Sequence, residues 1–237
     1  MDLKLKGKVA LVSGSSSGIG LAIASELAKE GCSVILNGRT GVKLQHAKSV
    51  LQDAVSIVAD VTEERECERL AHESASIYGK IDILVTNVGS GASVPVGMEN
   101  KGEWERMLSI NLLSSTQLVS ASYEYLKKTK GSILCISSIC GGESIGCPIA
   151  YAGAKAALNN YVSNFARYCG KDGVRINALS PGNILFPGSV WDRKLREDPD
   201  IVNQMLESQV PLGRLGSTED VSKMAAFLVS PVSGFTN

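Results

Sequence analysis

A tyrosine and a lysine stand at Tyr151 and Lys155, one helical turn apart. This spacing places both side chains on one face of a helix, where they can act together. Reduction of a ketone by hydride builds negative charge on the ketone oxygen, so a proton donor is needed there. A phenol has a pKa near ~10, and a neighbouring ammonium favours the phenolate and lowers that value. The pair therefore predicts a proton-transfer site for carbonyl or alcohol chemistry.

The same Tyr-x-x-x-Lys spacing occurs a second time, at Tyr123 and Lys127. Tyr123 lies late in a predicted helix that leads into the amino-terminal end of a predicted strand at 131–137. Tyr151 instead follows the carboxyl end of that strand, and open parallel sheets bind ligands at the carboxyl edge. We therefore interpret Tyr123 and Lys127 as part of a packed or solvated helix face and assign the chemistry to Tyr151.

Other polar residues end predicted strands at the same edge of the sheet. Ser137 and Ser138 close the strand that precedes Tyr151. We favour Ser138 as the hydroxyl that holds the substrate oxygen beside the phenol. Asn87 and Gly89 close the strand predicted at 81–87, so they are expected beside the same cleft.

Asn111 interrupts an apolar run from Leu108 to Leu113. A buried asparagine must find hydrogen-bond partners. On this argument alone, Asn111 is either a satisfied core amide or a site residue. Pro181-Gly182 turns the chain toward the ligand edge after the last predicted strand, so its neighbours are expected to flank the cofactor.

Short apolar runs alternate along the chain with stretches of helical period, which is typical of βαβ units on a parallel sheet. Most of the strand segments are apolar on both faces, as a sheet covered on both sides requires. Strands are predicted at 8–13, 33–37, 56–59, 81–87, 131–137 and 175–180. Helices are predicted at 21–30, 67–78, 103–127, 154–169 and 219–229.

No linker, repeat or low-complexity tract divides the sequence. We predict a single α/β domain over 1–237, with a Rossmann-type doubly wound parallel sheet and helices on both faces. The proline-bearing stretch 181–211 is expected to be irregular. Long irregular segments in compact domains are usually functional, so we predict a substrate lid at about 186–210.

The first predicted strand runs directly into Ser13-Gly14-Ser15-Ser16-Ser17-Gly18-Ile19-Gly20 and then into a helix. A helix N-terminus carries free N–H groups and partial positive charge, and glycines let a pyrophosphate approach the backbone closely. In this position between strand and helix, the glycines predict dinucleotide binding rather than a tight packing turn.

The second predicted strand ends in Asn37-Gly38-Arg39-Thr40, without the acidic residue that receives the ribose hydroxyls in NAD-binding chains. A guanidinium would hold a phosphate on the 2′ oxygen, so Arg39 favours NADP(H), although it could also be a solvated surface arginine. Asp60, after the third strand, either accepts a hydrogen bond from the adenine amino group or caps the helix that follows.

Charge and cysteine content exclude several other classes. Lys+Arg and Asp+Glu both number 24, so the formal net charge is zero and no basic block is available to bind nucleic acid. The six cysteines contain no C-x-x-C pair, so we predict neither a metal site nor a disulfide and interpret them as packing residues. Cys140 and Cys147 stand apart because they lie near the proposed site. No signal peptide or apolar run of ~20 residues is present, so we expect no membrane association and a cytoplasmic location.

Together these residues resemble the short-chain dehydrogenase/reductase family across nearly the whole chain, in order and in spacing. The glycine turn is similar to the family's Thr-Gly-x-x-x-Gly-x-Gly, Asp60-Val61 to its adenine contact, and Thr86-Asn87-Val88-Gly89 to its Asn-Asn-Ala-Gly strand end. Four residues fall where the catalytic tetrad of the family falls: Asn111, Ser138, Tyr151 and Lys155.

The resemblance implies a role for each member of the tetrad. Tyr151 is the acid/base, Ser138 orients the substrate, and Lys155 binds the nicotinamide ribose and tunes Tyr151. Asn111 holds a water in a proton relay to Lys155. The family usually forms tetramers through the helices that correspond to 103–127 and 151–169, so a homotetramer is implied.

The glycine turn and the resemblance together predict contacts to NADP(H) along the whole carboxyl edge of the sheet. The predicted cofactor-binding residues are Gly14, Ser16, Ser17, Gly18, Ile19, Gly20, Arg39, Asp60, Val61, Asn87, Gly89, Tyr151, Lys155, Pro181, Gly182 and Ile184.

The sequence departs from the family pattern at three places. Ser13 replaces a threonine in the glycine turn. In the family's Pro-Gly-x-Ile-x-Thr pattern, Phe186 replaces the threonine that contacts the carboxamide and phosphates. The chain ends at Gly234-Phe235-Thr236-Asn237, where members continue into a last strand and a Val-Asp-Gly-Gly tail. Either the sequence is truncated before this strand or the strand is absent from the fold, and an unpaired sheet edge is then expected to be exposed.

The segment Pro211–Gly216 and the following Glu219-Asp220-Val221 resemble most closely the 3-oxoacyl-carrier-protein reductases and related sugar or secondary-alcohol dehydrogenases. The resemblance implies reduction of a small-molecule carbonyl of the 3-oxoacyl thioester kind, with a sugar or secondary alcohol as the alternative. Phe186 and Trp191 are expected to line the pocket. A dinucleotide sensor without catalysis is the alternative from a different functional class.

Overall fold

A six-stranded parallel sheet forms the centre of the molecule. The computed structural model describes all residues 1–237. The strands run in the order β3-β2-β1-β4-β5-β6, and every neighbouring pair is parallel. They are β1 (Val9–Val12), β2 (Ser33–Gly38), β3 (Val55–Val58), β4 (Ile83–Thr86), β5 (Ser132–Ile136) and β6 (Arg175–Leu179). All six predicted strands and the doubly wound fold class are confirmed, and the strand order reverses between β1 and β4, where such sheets bind ligands.

Nine α-helices accompany the sheet. They are α1 (Gly18–Lys29), α2 (Gly41–Val50), α3 (Glu64–Tyr78), α4 (Lys101–Leu108), α5 (Ser114–Thr129), α6 (Ile149–Cys169), α7 (Val190–Glu197), α8 (Pro199–Gln209) and α9 (Thr218–Val229). The segments predicted as helical at 21–30, 67–78, 154–169 and 219–229 correspond to α1, α3, α6 and α9. The helix predicted at 103–127 is α4 and α5, joined by a π-helical turn over Ser109–Leu113.

The sheet is buried on both faces because successive strand residues point to opposite sides. Val9 and Leu11 of β1 belong to a core cluster that includes α3, α5 and α6. Ala10 and Val12 belong to a second cluster, with α1, α2 and α9. The helices therefore pack against both faces of the sheet, and this packing fixes the positions of the carboxyl ends of β1, β4 and β5.

The prediction of an irregular stretch over 181–211 is wrong, because two helices lie within it. Ser189 caps α7 by accepting a hydrogen bond from the Asp192 N–H at 3.0 Å, and Asp198 caps α8 by accepting one from the Ile201 N–H at 3.1 Å. Pro199 occupies the first turn of α8, where a missing N–H costs nothing. The proline thus starts a helix here instead of breaking one.

A short second sheet holds the beginning of this helical segment. In it β7 (Ile184–Leu185) pairs in parallel with β8 (Gly216–Ser217). Ser217 and Asp220 then form a capping box at the start of α9. The segment 186–210 is therefore attached at both ends to the framework that carries α9.

The strand β6 forms one edge of the main sheet. The Ile176 N–H donates to Oδ1 of Asn237 at 2.7 Å, and Nδ2 of Asn177 donates to the Thr236 carbonyl at 3.0 Å. Arg175 at the start of β6 also donates to the carbonyls of Leu228 and Ser230, so the end of α9 and the residues after it lie beside this edge. No helix in the structure combines the length and apolar character needed to cross a bilayer.

Candidate active site

The glycine turn lies between the carboxyl end of β1 and α1. Gly14 and Gly18 have φ angles of 60° and 57°, a left-handed conformation that favours glycine. Ser15 shapes the turn by donating to the Val12 carbonyl at 2.7 Å and accepting from the Asn37 N–H at 2.9 Å. Ser16 and Ser17 lie at the outer side of the turn. The first turn of α1, with its free N–H groups, begins at this point.

Gly20 and Asn87 join this turn to the end of β4. The Asn87 side chain donates to the carbonyls of Ser13 and Gly14 at 3.3 and 3.1 Å, and its N–H donates to the Ser13 hydroxyl at 3.0 Å. A Cβ on Gly20 would collide with the Gly14 carbonyl and the Asn87 amide. Asn87 therefore shapes the turn through its side chain, and serine at position 13 retains the hydroxyl that the resemblance expects from threonine.

Arg39 and Asp60 lie at the carboxyl ends of β2 and β3. Arg39 Nη1 is 3.7 Å from Asp60 Oδ2, and the Arg39 side chain is 69% exposed. Such exposed pairs contribute little, so the guanidinium remains available to an anion. Asp60 also accepts hydrogen bonds from the Thr62 hydroxyl and N–H. The Val61 side chain is buried in the core, so only its backbone can face a bound nucleotide.

Tyr151 lies in the first turn of α6, and Ser138 lies just past the end of β5. Burial raises the pKa of the Tyr151 phenol, and the Ser138 hydroxyl opposes part of that rise. The phenol is therefore protonated at neutral pH in the free protein. The Ser138 oxygen accepts from the Cys140 N–H at 3.2 Å, which fixes the position of the hydroxyl beside the Tyr151 phenol.

Lys155 is buried one turn further along α6, with only 3% of its surface exposed. Its ammonium donates to the Ile136 carbonyl at 2.8 Å, and burial lowers its pKa to about 8. Ser137 donates to the Lys155 carbonyl at 3.4 Å and is thus occupied in holding α6 against β5. This contact supports the choice of Ser138 over Ser137 as the substrate-facing hydroxyl.

Asn111 is fully buried in the π-helical turn between α4 and α5. Its Oδ1 accepts from the Ser90 N–H at 2.9 Å, and its Nδ2 donates to the carbonyls of Ser90 and Met107, each at 3.2 Å. A Cβ on Gly89 would lie 2.9 Å from Asn111 Oδ1 and 3.2 Å from Lys155 Nζ. Asn111 and Lys155 thus face the same glycine. The Asn111 amide has all its hydrogen-bond partners, as a core amide would, and it also adjoins the site, as a site residue would.

The segment 89–94 completes the wall opposite Tyr151, and the sequence analysis missed most of it. A Cβ on Gly91 would lie 3.8 Å from Cζ of Tyr151. Arg106 donates to the Ala92 carbonyl at 2.9 Å and to Glu103, so α4 holds this segment in place. Glycines at 89 and 91, directly after a strand end, were the signal that could have identified it.

The segment after β6 contacts both the residues that follow β5 and the glycine turn. The Pro181 carbonyl accepts from the Ile139 N–H at 3.2 Å, and Gly182 packs against the same isoleucine. Ile184 enters β7, and Phe186 follows it. The ring of Phe186 lies against Gly18, where an added Cβ would come within 2.6 Å of it. The residue that departs from the family pattern therefore contacts the glycine turn directly.

The second Tyr-x-x-x-Lys pair lies away from this cleft. Tyr123 is buried and donates to Asp172 at 2.6 Å, and burial together with this carboxylate raises the pKa of its phenol. Lys127 pairs with Glu124 at 3.1 Å. Both residues belong to a packed helix face, as expected.

The prediction that no disulfide is present is wrong. Cys140 and Cys147 form a disulfide, with their Cα atoms 6.0 Å apart. The spacing of the cysteines does not indicate this pairing, because the two residues come together only when the chain turns back between β5 and α6. The other four cysteines are buried thiols, in agreement with the packing interpretation.

The residues at the carboxyl edge of the sheet suit a dinucleotide in their chemistry. The glycine turn provides backbone donors, and Arg39 provides a cation at the β2 end. Glycines at 89 and 91 keep open the space beside Lys155 and Tyr151, which a Cβ would fill. No group of three or more side chains with metal-ligating chemistry occurs in the structure.

Comparison with known proteins relates the chain to a set of oxidoreductases. A family model described as Enoyl-(Acyl carrier protein) reductase matches residues 14–237. Hydroxynaphthalene reductase-like protein Arp2 of Metarhizium guizhouense is 32% identical over 98% of this chain and 92% of that protein. L-fucose dehydrogenase of Mus musculus is 31% identical over 96% of this chain and 84% of that protein.

The solved structures that match are similar in backbone along the whole chain. A 7α-hydroxysteroid dehydrogenase, solved in complex with NADH and 7-oxo glycochenodeoxycholic acid, has a TM-score of 0.91 and 30% identity. The match covers 100% of this chain and 92% of that one. The fold is therefore shared with enzymes of this kind.

Proposed function

Because the chain belongs to the short-chain dehydrogenase/reductase family, an oxidoreductase family, we propose that it transfers a hydride between NADP(H) and a carbonyl or secondary-alcohol carbon. The observation that carries this proposal is the convergence of Tyr151, Ser138 and Lys155 beside the glycine turn. The bound nicotinamide supplies or accepts the hydride. The chain's own residues manage the proton and the position of the substrate.

In the direction of reduction, the Ser138 hydroxyl donates a hydrogen bond to the substrate oxygen and holds it beside the Tyr151 phenol. The phenol gives up its proton as negative charge develops on that oxygen. The Lys155 ammonium stabilises the resulting phenolate, since an opposite charge nearby favours the ionised form. Lys155 also binds the nicotinamide ribose, and Asn111 anchors the water that returns a proton through Lys155.

The choice of NADP(H) rests on the end of β2. No carboxylate stands at positions 37–40 to receive the ribose hydroxyls, and the guanidinium of Arg39 is exposed at this end. A guanidinium can hold a phosphate through two parallel hydrogen bonds. The ion pair between Arg39 and Asp60 is long, with 3.7 Å between Nη1 and Oδ2, so a phosphate can displace Asp60 from the guanidinium.

The proposed substrate class is a 3-oxoacyl thioester. The family description names an enoyl group on acyl carrier protein, which shares the thioester with this substrate class but not the 3-oxo group. The names of the relatives also include an aromatic and a sugar substrate. A sugar or another secondary alcohol is therefore the second candidate. The segment 186–210 borders the cleft through Phe186, so we propose that it acts as the lid over the substrate.

Hydride transfer by the unmodified protein tests this proposal. Reduced dinucleotide that carries deuterium at the transferable position is incubated with 3-oxoacyl thioesters, aromatic ketones and oxo-steroids, and the reverse reaction is run on free sugars. We expect the dinucleotide to be consumed and the product to carry deuterium on the new carbinol carbon. Tight dinucleotide binding without turnover on any of these compounds would favour the sensor function instead.

Arg39→Asp should shift the ratio of kcat/KM for NADPH to that for NADH by about a hundredfold toward NADH, because the variant replaces a phosphate-binding cation with a repelling carboxylate. The ratio is measured with one saturating substrate. Lys6→Asp makes a charge reversal before β1, at the opposite edge of the sheet, and should leave the ratio unchanged. An unaltered ratio in Arg39→Asp would contradict the assignment of NADP(H).

We further propose that the protein forms a homotetramer through α5 and α6. Tyr161, Phe165 and Tyr168 lie on α6 and pack with Tyr123 of α5 in one aromatic cluster. Tyr168 remains 52% exposed and Leu113, just before α5, 43% exposed. These two helices thus offer apolar surface of the kind that subunit interfaces use.

A further inference from the structure

The loop 140–147 connects the two halves of the proton-transfer site. Cys140 lies two residues after Ser138, and its N–H donates to the Ser138 hydroxyl. Cys147 lies four residues before Tyr151 and directly before Pro148, which caps α6. The disulfide between the two cysteines therefore closes a ring whose two ends are the segments that position Ser138 and Tyr151.

The first half of this loop packs closely on α6, with Gly141 against the Lys155 backbone, but few contacts other than the disulfide hold its second half. Glu143 makes the last backbone hydrogen bond before the exposed tip, to the Ile139 carbonyl at 2.9 Å. Residues 144–147 make no hydrogen bond to any other part of the protein, and Ile145 is 45% exposed. The sulfur–sulfur bond is therefore the principal restraint on the second half of the loop.

Cys140 and Cys147 also differ from the other cysteines in their access to solvent. Both are half-buried, and the residues between them are mostly exposed. Cys32, Cys67, Cys135 and Cys169 are buried, and burial raises their pKa values to about 12, 12, 11 and 11. Since the thiolate is the reactive form, these four are inert and thiol chemistry is confined to the loop.

We propose that Cys140 and Cys147 form a reversible thiol–disulfide site that controls the order of the substrate-facing loop between Ser138 and Tyr151. The disulfide reacts with a dithiol reductant. One reductant thiolate attacks a protein sulfur and releases the other as a thiolate, and the second reductant thiol then displaces the first protein sulfur. The reductant leaves as its own disulfide, and its two protons end on Cys140 and Cys147.

The closed ring restricts the conformations of the loop, and reduction restores them. Lys155 and Ser137 still hold α6 against β5, but the opened loop no longer restrains the segment that leads into the first turn of α6. Substrate binding should weaken as a result. The glycine turn and Arg39 lie on other elements, so dinucleotide binding should be retained. The expected effect on substrate rests on the proposed function, whereas the thiol chemistry and the loop mobility do not.

The test compares protein treated with oxidised glutathione with protein treated with dithiothreitol. Thiol titration after unfolding should give four thiols in the first sample and six in the second. A protease that cleaves after glutamate should cut at Glu143 about tenfold faster in the reduced protein, because the freed loop is locally more mobile. Mass spectrometry identifies the fragment that begins at Ser144.

The double variant Cys140→Ser/Cys147→Ser serves as the matched control. It should be cleaved at the rate of the reduced protein, with no response to dithiothreitol. Reduction of the wild type should raise KM for the carbonyl substrate about fivefold, because the site is less preorganised, and should change the Kd for dinucleotide less than about twofold. Six thiols after oxidation, or equal cleavage in both samples, would overturn the proposal. Absence of turnover with the expected thiol counts and cleavage would count against the proposed function alone.

Discussion

Tyr151→Phe should lower kcat for carbonyl reduction by about a thousandfold while the Kd for the dinucleotide stays within about twofold of the wild-type value. The substitution removes only the phenolic oxygen, so the ring still packs in the first turn of α6. Without that oxygen, no side chain donates a proton to the developing alkoxide. Steady-state turnover and fluorescence titration of the reduced dinucleotide give the two quantities.

The chain contains its own control for this experiment. Tyr123→Phe removes a phenolic oxygen from the same helical spacing, but from the packed pair that bonds to Asp172. This variant should lose about 1 kcal/mol of stability with its hydrogen bond and should keep its turnover. Undiminished activity in Tyr151→Phe, or an equal loss in Tyr123→Phe, would remove the assignment of Tyr151 as the acid.

Lys155→Met should lower kcat/KM for reduction by about a hundredfold or more, because it removes the charge that favours the Tyr151 phenolate. It also removes the donor proposed to bind the ribose, so KM for the dinucleotide should rise. Methionine preserves the length of the buried side chain, which limits the packing cost. Circular dichroism before the assay establishes that the variant is folded.

The pH profile separates a catalytic charge from a structural role. Burial lowers the pKa of Lys155 to about 8, so the ammonium is present below this pH and is lost as pH rises through it. For the free wild-type enzyme, kcat/KM for reduction should therefore fall above about pH 8. In Lys155→Met this descending limb should disappear, since the remaining Tyr151 phenol has a raised pKa. A limb that persists at the same pH in the variant must belong to another group.

The sheet was predictable because its strands are buried on both faces and read as short apolar runs. Boundaries shifted by no more than a few residues, and the order of motifs located the carboxyl edge correctly. The charged helix α2 was missed, since only Leu44 and Ala47 of it are buried and the helical period is therefore faint. The helix pair α7 and α8 was missed because the proline-bearing stretch 181–211 was interpreted as irregular, whereas Pro199 lies in the first turn of α8.

The positions of Tyr151 and the glycine turn at the carboxyl edge of the sheet were predictable, because each follows directly from the order of the strands and helices. The sequence could not show contacts that depend on tertiary approach. Examples are the bond of Asn111 to Ser90 and the ring of Phe186 against Gly18. The pairing of Cys140 with Cys147 is of the same kind, because a seven-residue separation does not by itself bring two sulfurs together.

The close approach of Gly20 to Gly14 and Asn87 has an evolutionary consequence. Any side chain at position 20 would push against backbone, so a single mutation there disrupts the turn whichever dinucleotide the protein uses. Arg39, by contrast, extends into solvent and can be exchanged without disturbing the core. Under the proposed function, the pyrophosphate is bound by a rigid part of the fold, whereas the dinucleotide is selected by an exposed side chain that tolerates substitution. A single substitution at this exposed position would then be enough to change the preferred dinucleotide.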